Sequence, residues 1–424
     1  MSSRVVITGL GVVAPNGHGI AEFEQALRTG KSGIEFQEKM KELNFACHVG
    51  GIPKGIREIA PQYFSDESLL AMNETQIYSG IAAIDAWKDA GLSVPHDKSE
   101  VNWDAGCVVG LGISGMDVIS EKVIPMVNAG KTKRMGSTIV EQVMASGVSA
   151  KLSGILALGN QVTSNSSACN TGTEAIVMAF DRIRAGLADK MVAGGVEGSS
   201  PHVWAGFDAM KVINSRSNND PHKASRPMSA SAAGFVPGSG AGILILESLE
   251  SAVKRNARIY AEILGANVNC GGHRMGGSMT APNPISVRRC IQQALAMSGI
   301  EADQIDGING HLTATFADPY EVENWSIALN LAPNQLPKIQ STKSMIGHCL
   351  GAAGAIESVA TIIQINKGFL HKSINCEDLH EKILPYKESI LHQTENSPVN
   401  IMAKASFGFG DVNGCLIFKK WETK

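Results

Sequence analysis

Two stretches of the chain decide its expected fold: Cys169–Ile176, with the sequence CNTGTEAI, and His348–Ile356, with the sequence HCLGAAGAI. Each begins with a reactive side chain, continues through a turn of small residues and enters an apolar helical segment. The helical segments stop at glycines, Gly186 and Gly368. The parallel indicates that one α/β unit occurs twice, although two ordinary α/β units could share this pattern by chance.

A second repeated pattern supports the duplication. Trp87–Gly91 and Ala296–Gly299 both end a helical segment and are followed by a polar linker and a glycine-containing strand. We therefore divide the chain into residues 1–250, which contain the cysteine of the first stretch, and residues 251–424, which contain the histidine of the second. Apolar, β-branched runs alternate with helical segments in both halves, which is typical of layered α/β enzymes. The predicted strands are Val5–Gly9, Gly106–Leu111, Met191–Gly195, Gly242–Glu247, Ile259–Leu264, Gly307–Gly310, Ile401–Ser406 and Cys415–Lys419.

The composition is that of a compact enzyme. Of 424 residues, 44% are hydrophobic and 18% are charged, and the net charge of −3 gives no support to nucleic-acid binding. No uninterrupted apolar stretch is long enough to cross a membrane, so we expect no membrane insertion. The eight cysteines form no CxxC pair, which argues against a zinc site or a disulfide framework and favours a reducing, cytoplasmic setting.

Cys169 is the first candidate for chemistry. It lies in Thr163–Glu174, TSNSSACNTGTE, directly before an apolar helix. A helix N-terminus favours the thiolate, which is the nucleophilic form of cysteine. Local context alone leaves a buried structural cysteine equally open.

Three further clusters complete the set of candidates. His311 follows a predicted strand, and Lys343 and His348 lie within Ser341–Glu357, a stretch rich in small residues. The fourth cluster, Ser406–Gly414, alternates phenylalanine and glycine in a way that fits a mobile loop with a backbone N–H beside a nucleophile. Taken singly, a capped loop histidine, a surface lysine and a bulged hairpin remain possible. The two histidines lack zinc-ligand spacing, so no metal is expected.

Taken in order, the four clusters resemble the β-ketoacyl-acyl-carrier-protein synthases, and among these the type II elongating synthases. The resemblance extends over essentially the whole chain, and the segments Ala188–Glu197 and Ala224–Pro227 also match. It implies a five-layered αβαβα thiolase-like fold built from two duplicated halves, and a homodimer. It also implies decarboxylative condensation, in which Cys169 takes an acyl group from a carrier protein and an enolate formed from malonyl-carrier protein attacks it.

The resemblance also implies roles for individual residues. His311 and His348 would stabilise the enolate, and the backbone N–H groups of Cys169 and Phe409 would form an oxyanion hole. Lys343 would hold the histidine region through Glu357. Phe409 would also act as the gate of the site. Supporting residues would be Thr313 and Thr315, and substrate-binding residues would be Ile113, Phe207, Phe407 and Leu312. No resident cofactor is expected, because the phosphopantetheine arrives on the acyl carrier protein.

Departures from the family pattern concern the substrate. Leu312 stands where the family has glycine after the histidine, and the segment Arg226–Gly240 is altered. These changes favour a divergent synthase for a polyketide or polyene over a housekeeping fatty-acid enzyme. A catalytic subunit paired with a chain-length factor is the alternative. A non-catalytic partner subunit would lack Cys169, and a thiolase would carry a second cysteine in Phe407–Gly414, where none occurs.

Overall fold

The computed structural model describes residues 3–96 and 98–422. Its strands are β1 Val5–Ala14, β2 Gly17–His18, β3 Ile34–Phe36, β4 Val49–Gly51, β5 Ala105–Leu111, β6 Val162–Thr163, β7 Lys190–Glu197, β8 Gly240–Ser248, β9 Ala261–Cys270, β10 Gly307–Asn309, β11 Lys338–Gln340, β12 Phe369–Leu370, β13 Glu395–Asn396, β14 Ile401–Gly408 and β15 Val412–Lys420. Its α-helices are α1 Gly19–Thr29, α2 Glu38–Glu42, α3 Ile56–Ile59, α4 Asp66–Leu70, α5 Glu74–Asp89, α6 Met116–Val118, α7 Ile124–Asn128, α8 Ile139–Val143, α9 Gly147–Leu156, α10 Thr171–Arg184, α11 Pro201–Ala209, α12 Leu249–Lys254, α13 Pro284–Ser298, α14 Asp318–Leu329, α15 Lys343–Ile346 and α16 Ala353–Lys367.

The strand order repeats between the two halves of the chain. The main sheet runs β11-β10-β14-β15-β9-β1-β8-β7-β5-β6, with β2 attached to β1. Read outward from the centre, the order is β1-β8-β7-β5-β6 on one side and β9-β15-β14-β10-β11 on the other. In each series the innermost strand is the first strand of its half, β1 or β9, and the next is the last strand of its half, β8 or β15. The three outer strands of each series pair in parallel. Within the described residues, the two series are joined where Val6 and Ile7 of β1 pair with Glu262 and Ala261 of β9.

Helices cover both outer faces and fill the space between the two series. Helix α5 packs on β1 and β8, α13 packs on β9 and β15, and the buried helices α10 and α16 contact strands from both halves. The layers therefore alternate as αβαβα, and the predicted thiolase-like α/β architecture is confirmed. Within the described residues, no helix is long and apolar enough to cross a membrane.

The crossing of α10 and α16 positions the candidate site. A Cβ added at Gly172 would lie 2.7 Å from the backbone nitrogen of Ala355, and one added at Gly354 would lie 2.2 Å from Thr173 Oγ1. The first turns of the two helices therefore touch almost backbone to backbone. Because Cys169 precedes α10 and His348 precedes α16, this close crossing brings the two reactive side chains together.

Candidate active site

Cys169 lies in a 3-10 turn, Ala168–Asn170, that leads directly into α10. Ala168 has a φ of +50°, a strained value for a residue with a Cβ, and the turn is held by Thr171 Oγ1, which donates to Ala168 O at 2.7 Å. The Cys169 side chain is consequently held at the helix N-terminus and is 8% exposed.

The structure brings Cys169, His311 and His348 together. The Cys169 Sγ and one ring nitrogen from each histidine all lie within 4.8 Å of one another. The two imidazole rings meet edge to face with centroids 5.3 Å apart.

The loop between β14 and β15 places a backbone donor beside the nucleophile. The Phe409 N–H is directed to the Cys169 sulfur, and a Cβ added at the neighbouring Gly408 would lie 3.1 Å from the Cys169 backbone nitrogen. The Gly408–Phe409 backbone thus lies close to both the backbone nitrogen and the sulfur of Cys169. That arrangement suits a two-donor oxyanion hole.

Two buried carboxylates that the sequence did not single out organise the His311 loop. Glu321 accepts hydrogen bonds from the backbone N–H groups of His311 at 2.6 Å and Leu312 at 2.7 Å. Asp318 accepts from the N–H groups of Thr313 at 2.8 Å and Ala314 at 3.0 Å. Both acids lie in the first turn of α14, where an acidic residue is favoured by the helix dipole. An acidic helix start soon after a candidate histidine is the signal that would have revealed them.

Of the three predicted residues after His311, Thr313 and Thr315 stabilise the loop, whereas Leu312 lies in the hydrophobic core. Thr313 Oγ1 and Thr315 Oγ1 are hydrogen-bonded to each other at 3.0 Å. Leu312, predicted to bind substrate, is completely buried in the hydrophobic core with Ile308 and Val322. This placement corrects the prediction: because Glu321 binds the Leu312 N–H, the side chain is directed into the core.

His348 is held by a segment from the other half of the chain. Its N–H donates to Val236 O at 2.7 Å, and its carbonyl accepts from the Gly238 N–H at 2.9 Å. The Phe235 ring packs edge-on against the imidazole with centroids 5.2 Å apart. The altered segment Arg226–Gly240 therefore supports His348 directly.

Aromatic rings line the approach to the histidine pair. Phe207 lies 6.1 Å from the half-buried Phe409 ring and 5.4 Å from Phe235, and Phe407 lies 6.1 Å from His311, all between centroids. Ile113, predicted to line the acyl pocket, is 41% exposed in the single chain. The predicted residues Phe207, Phe407 and Phe409 thus lie near the histidines, whereas Ile113 is open to solvent in the single chain.

A buried ion cluster lies behind the histidines. Lys343 donates to Glu357 Oε1, and Lys404, which the sequence did not single out, lies with its Nζ 2.8 Å from Glu357 Oε2. All three side chains are at most 1% exposed. The predicted pairing of Lys343 with Glu357 is thus present, but Glu357 has two cations, not one.

Burial and this cluster set the protonation of the site. Burial, with the charge of Lys343, holds the pKa of both His311 and His348 well below the usual range. Burial raises the pKa of Cys169 to about 11, and the Lys343 charge and the Phe409 N–H oppose that rise. At neutral pH the free site therefore contains two neutral imidazoles beside a thiol, so the imidazoles can accept or donate a proton.

Comparison with known proteins agrees with this arrangement. Residues 2–252 match the model of the beta-ketoacyl synthase N-terminal domain, and residues 260–377 match that of the C-terminal domain. A chloroplastic 3-oxoacyl-[acyl-carrier-protein] synthase I of Arabidopsis thaliana is 34% identical, with 99% of this chain and 87% of the relative covered. The 3-oxoacyl-[acyl-carrier-protein] synthase 1 of Escherichia coli is 33% identical, with 98% and 99% covered.

Solved structures are similar over the full length. A beta-ketoacyl synthase from Burkholderia phymatum superposes with a TM-score of 0.90 at 28% identity, covering 99% of this chain and all of that one. A type II polyketide ketosynthase in complex with its acyl-carrier protein gives 0.87 at 28% identity, covering 99% of this chain and 100% of that one. The ishigamide ketosynthase/chain length factor gives 0.88 at 27% identity, covering 100% of both chains. The chain therefore belongs to the β-ketoacyl synthase family.

Proposed function

We propose that the protein is a β-ketoacyl-acyl-carrier-protein synthase that condenses an acyl group held on Cys169 with malonyl-carrier protein. One observation carries this proposal: a buried thiol at a helix N-terminus lies within 4.8 Å of two histidine ring nitrogens and faces the Phe409 N–H. A nucleophile, two neutral hydrogen-bonding rings and an oxyanion hole are the groups that thioester exchange and enolate formation need. The family membership and the names of the relatives support the same reaction.

In the first half-reaction, Cys169 attacks the acyl thioester of the carrier protein. The thiol proton leaves as the C–S bond forms, since burial keeps the free thiol protonated at neutral pH, and a neutral imidazole is the nearest acceptor. The N–H groups of Cys169 and Phe409 stabilise the tetrahedral oxyanion. Collapse of this intermediate releases the carrier thiolate, which takes up the proton.

In the second half-reaction, malonyl-carrier protein loses carbon dioxide. The electron pair of the broken C–C bond forms an enolate, whose oxygen carries negative charge between His311 and His348. The enolate carbon attacks the acyl-Cys169 carbonyl, and the C–S bond breaks so that the thiolate of Cys169 leaves and takes up a proton from solvent. Neither half-reaction requires a resident cofactor, because the phosphopantetheine thioester is part of the carrier protein.

The partners and the pathway follow from the same reasoning. We propose an acyl carrier protein as the donor of both thioesters, and a homodimer as the assembly. Exposed apolar side chains on the segment after β5 support a second copy there: Ile113, Ile124, Val127 and Val140 are 41–69% exposed in the single chain.

The alternative is the catalytic subunit of a type II polyketide or polyene system paired with a chain-length factor, which the similarity to ketosynthases of that type supports. Free thiols at all eight cysteines support a reducing, cytoplasmic setting.

The test is a panel of acyl carrier proteins charged with acyl groups of different length and saturation, each offered together with malonyl-carrier protein. We expect products two carbons longer, with carbon dioxide released in equal amount. Failure of every acyl group to extend, with loading intact, would contradict a condensing function. Native mass spectrometry of the same preparation separates a homodimer from a chain that needs a second subunit.

A further inference from the structure

Lys404 is a lysine in the interior of strand β14 whose charged end is completely buried. Its Nζ lies 2.8 Å from Glu357 Oε2 and 3.1 Å from Ser406 Oγ, and it also donates to Ala405 O. The Ala405 carbonyl and the Ser406 hydroxyl accept hydrogen bonds from the ammonium, and the contact with Glu357 is an ion pair. The Ser406 hydroxyl is in turn paired with Thr173 Oγ1 at 2.8 Å. Burial lowers the pKa of Lys404, and the charge of Glu357 opposes this shift, so the contacts favour the charged lysine.

In the cluster around Lys404, two lysines contact a single carboxylate. Lys343 already balances the carboxylate of Glu357, so with Lys404 charged the buried trio has two positive charges and one negative charge. Burying an uncompensated charge is unfavourable, and a purely structural ion pair would stop at one lysine. The second positive charge acts on the histidine pair. An electrostatic role at the histidines would explain why a second lysine is buried here.

Two elements of the active site are connected through Lys404. Strand β14 continues into Phe407 and Gly408 and then to Phe409, whose N–H faces the nucleophile. Through Ser406 and Thr173, the same strand is tied to the first turn of α10, directly after Cys169. Lys404 thus lies where a single side chain can fix the oxyanion loop relative to the nucleophile.

We propose that Lys404 is a positioning residue of the condensing step: its ammonium shares Glu357 with Lys343, supplies the surplus positive charge behind the histidine pair, and holds the strand end that presents the Phe409 N–H. This inference rests on the condensing function proposed above and adds a residue to it. The positive charge disfavours protonation of His311 and His348, and Lys404 contributes to the low pKa of both rings. It also favours negative charge on a forming enolate.

Several titratable groups lie near Lys404 and could change protonation in a pH experiment. Glu357 and Lys343 are paired with it, and Glu321 of α14 lies opposite. The remaining groups that respond to its charge are His311, His348 and Cys415 of β15. Loss of the Lys404 charge leaves a neutral Lys343–Glu357 pair, so the rings become easier to protonate. The acidic limb of the decarboxylation profile should then move to higher pH.

The experiment compares Lys404→Met, which removes the charge at similar length, with Lys404→Arg, which keeps it, and with Lys419→Met as the matched control on the exposed part of β15. Carbon dioxide release from malonyl-carrier protein is measured from pH 5 to 9. We expect Lys404→Met to move the acidic limb up by about one pH unit and to lower the rate at neutral pH by about tenfold. Lys404→Arg should keep the limb in place, and Lys419→Met should match the wild type. A folded Lys404→Met protein with an unchanged limb would overturn the proposal.

A second measurement needs no substrate and no change at Lys404. The imidazole resonances of His311 and His348, assigned with His311→Asn and His348→Asn, are titrated by NMR in the wild-type protein. Both rings should stay neutral below the ordinary histidine pKa of about 6.5. Protonation of both rings near that value would show that the charge of Lys404 does not influence the histidines. That result would overturn the proposal even if Lys404→Met does not fold. Because no turnover is involved, this result is independent of whether the condensing function holds.

Discussion

The two neutral histidines are expected to contribute unequally to the two proposed half-reactions. Their ring nitrogens lie near the Cys169 sulfur, but their burial keeps them uncharged, so they serve best as hydrogen-bond donors to an oxygen that becomes negative. Acyl transfer has the separate oxyanion hole formed with Phe409. The histidines should therefore matter more for decarboxylation than for acyl transfer.

Replacing both rings tests that division. In a protein with His311→Asn and His348→Asn, we expect carbon dioxide release from malonyl-carrier protein to fall by at least about a hundredfold, since two charge-stabilising donors are lost. Loading of Cys169 should fall by about tenfold or less. The two rates are followed by trapped carbon dioxide and by intact-protein mass. Equal losses in the two half-reactions would argue against the assigned role.

Glu321 is predicted to act by positioning the His311 loop. Its carboxylate accepts two backbone N–H groups, and burial raises its pKa to about 7. Glu321→Gln has one acceptor oxygen and a new donor, so one of the two bonds is lost, at a cost of about 1–3 kcal/mol in the free energy of unfolding.

Carbon dioxide release should fall more than acyl loading in this variant, because His311 is displaced while Cys169 is not. Glu323→Gln is the matched control, since Glu323 is exposed on the same helix. A Glu321→Gln protein with normal stability and normal decarboxylation would refute the positioning role.

The reactive residues could be predicted from the sequence because their local contexts are unusual, but their supports could not. Lys404 lies in an ordinary strand sequence, and its burial depends on Glu357, which is remote in the chain. The family pattern predicts Leu312 near the substrate, yet a position beside His311 in the chain does not decide which side of a loop faces the core. Contacts over such distances arise only in the folded chain.

At the level of elements, the crossing of α10 and α16 is the feature on which the site depends. Gly172→Ala should test it, because the added Cβ would lie 2.7 Å from the backbone nitrogen of Ala355. We expect a loss of about 1–3 kcal/mol in the free energy of unfolding from this overpacking. Acyl loading should also fall, since Cys169 and His348 are pushed apart.

Gly154→Ala is the control for the helix crossing. It lies in helix α9 with no neighbouring atom within 4 Å of an added Cβ, and alanine there should stabilise the helix by up to about 1 kcal/mol. Urea denaturation and the acyl-loading rate are measured for both variants. If Gly172→Ala behaved like Gly154→Ala, the close crossing would not be what assembles the site.

Several long elements followed from the sequence, whereas helix α14 and most of the short strands did not. Helix α10 and strands β7 and β8 lie within a few residues of their predicted limits, because each combines a clear apolar pattern with a stop signal. Strand β1 continues to Ala14, beyond the predicted Gly9, because it remains paired with β8 past an irregularity at Ile7 and Gly9. The two-residue strands β6 and β12 have too little pattern of their own to be predicted.

At the scale of the whole molecule, buried thiols should make stability sensitive to alkali. Burial raises the pKa of Cys107 and Cys415 to about 12 and that of Cys169 to about 11. An unfolded thiol loses its proton near pH 8.5. The stabilising contribution is therefore complete below that pH, and it is lost as the pH rises through 8.5 toward the folded pKa, by up to about 1.4 kcal/mol per pH unit for each group.

Urea denaturation between pH 7.5 and 10.5 measures this dependence. Cys415→Ala should reduce the slope of the unfolding free energy against pH by about one proton. Cys270→Ala, which changes an exposed cysteine, is the matched control. A slope that does not respond to Cys415→Ala would show that this thiol does not hold its proton in the folded protein.

The account as a whole depends on one covalent event at Cys169, and intact-protein mass spectrometry through a single turnover measures it most directly. Wild-type protein incubated with an acyl carrier-protein thioester should gain the mass of one acyl group. Addition of malonyl-carrier protein should then remove that mass, with release of carbon dioxide and of a product two carbons longer, and Cys169→Ala should show no adduct. Stoichiometric acylation of Cys169→Ala, or an adduct on the wild type that malonyl-carrier protein leaves in place, would contradict the account.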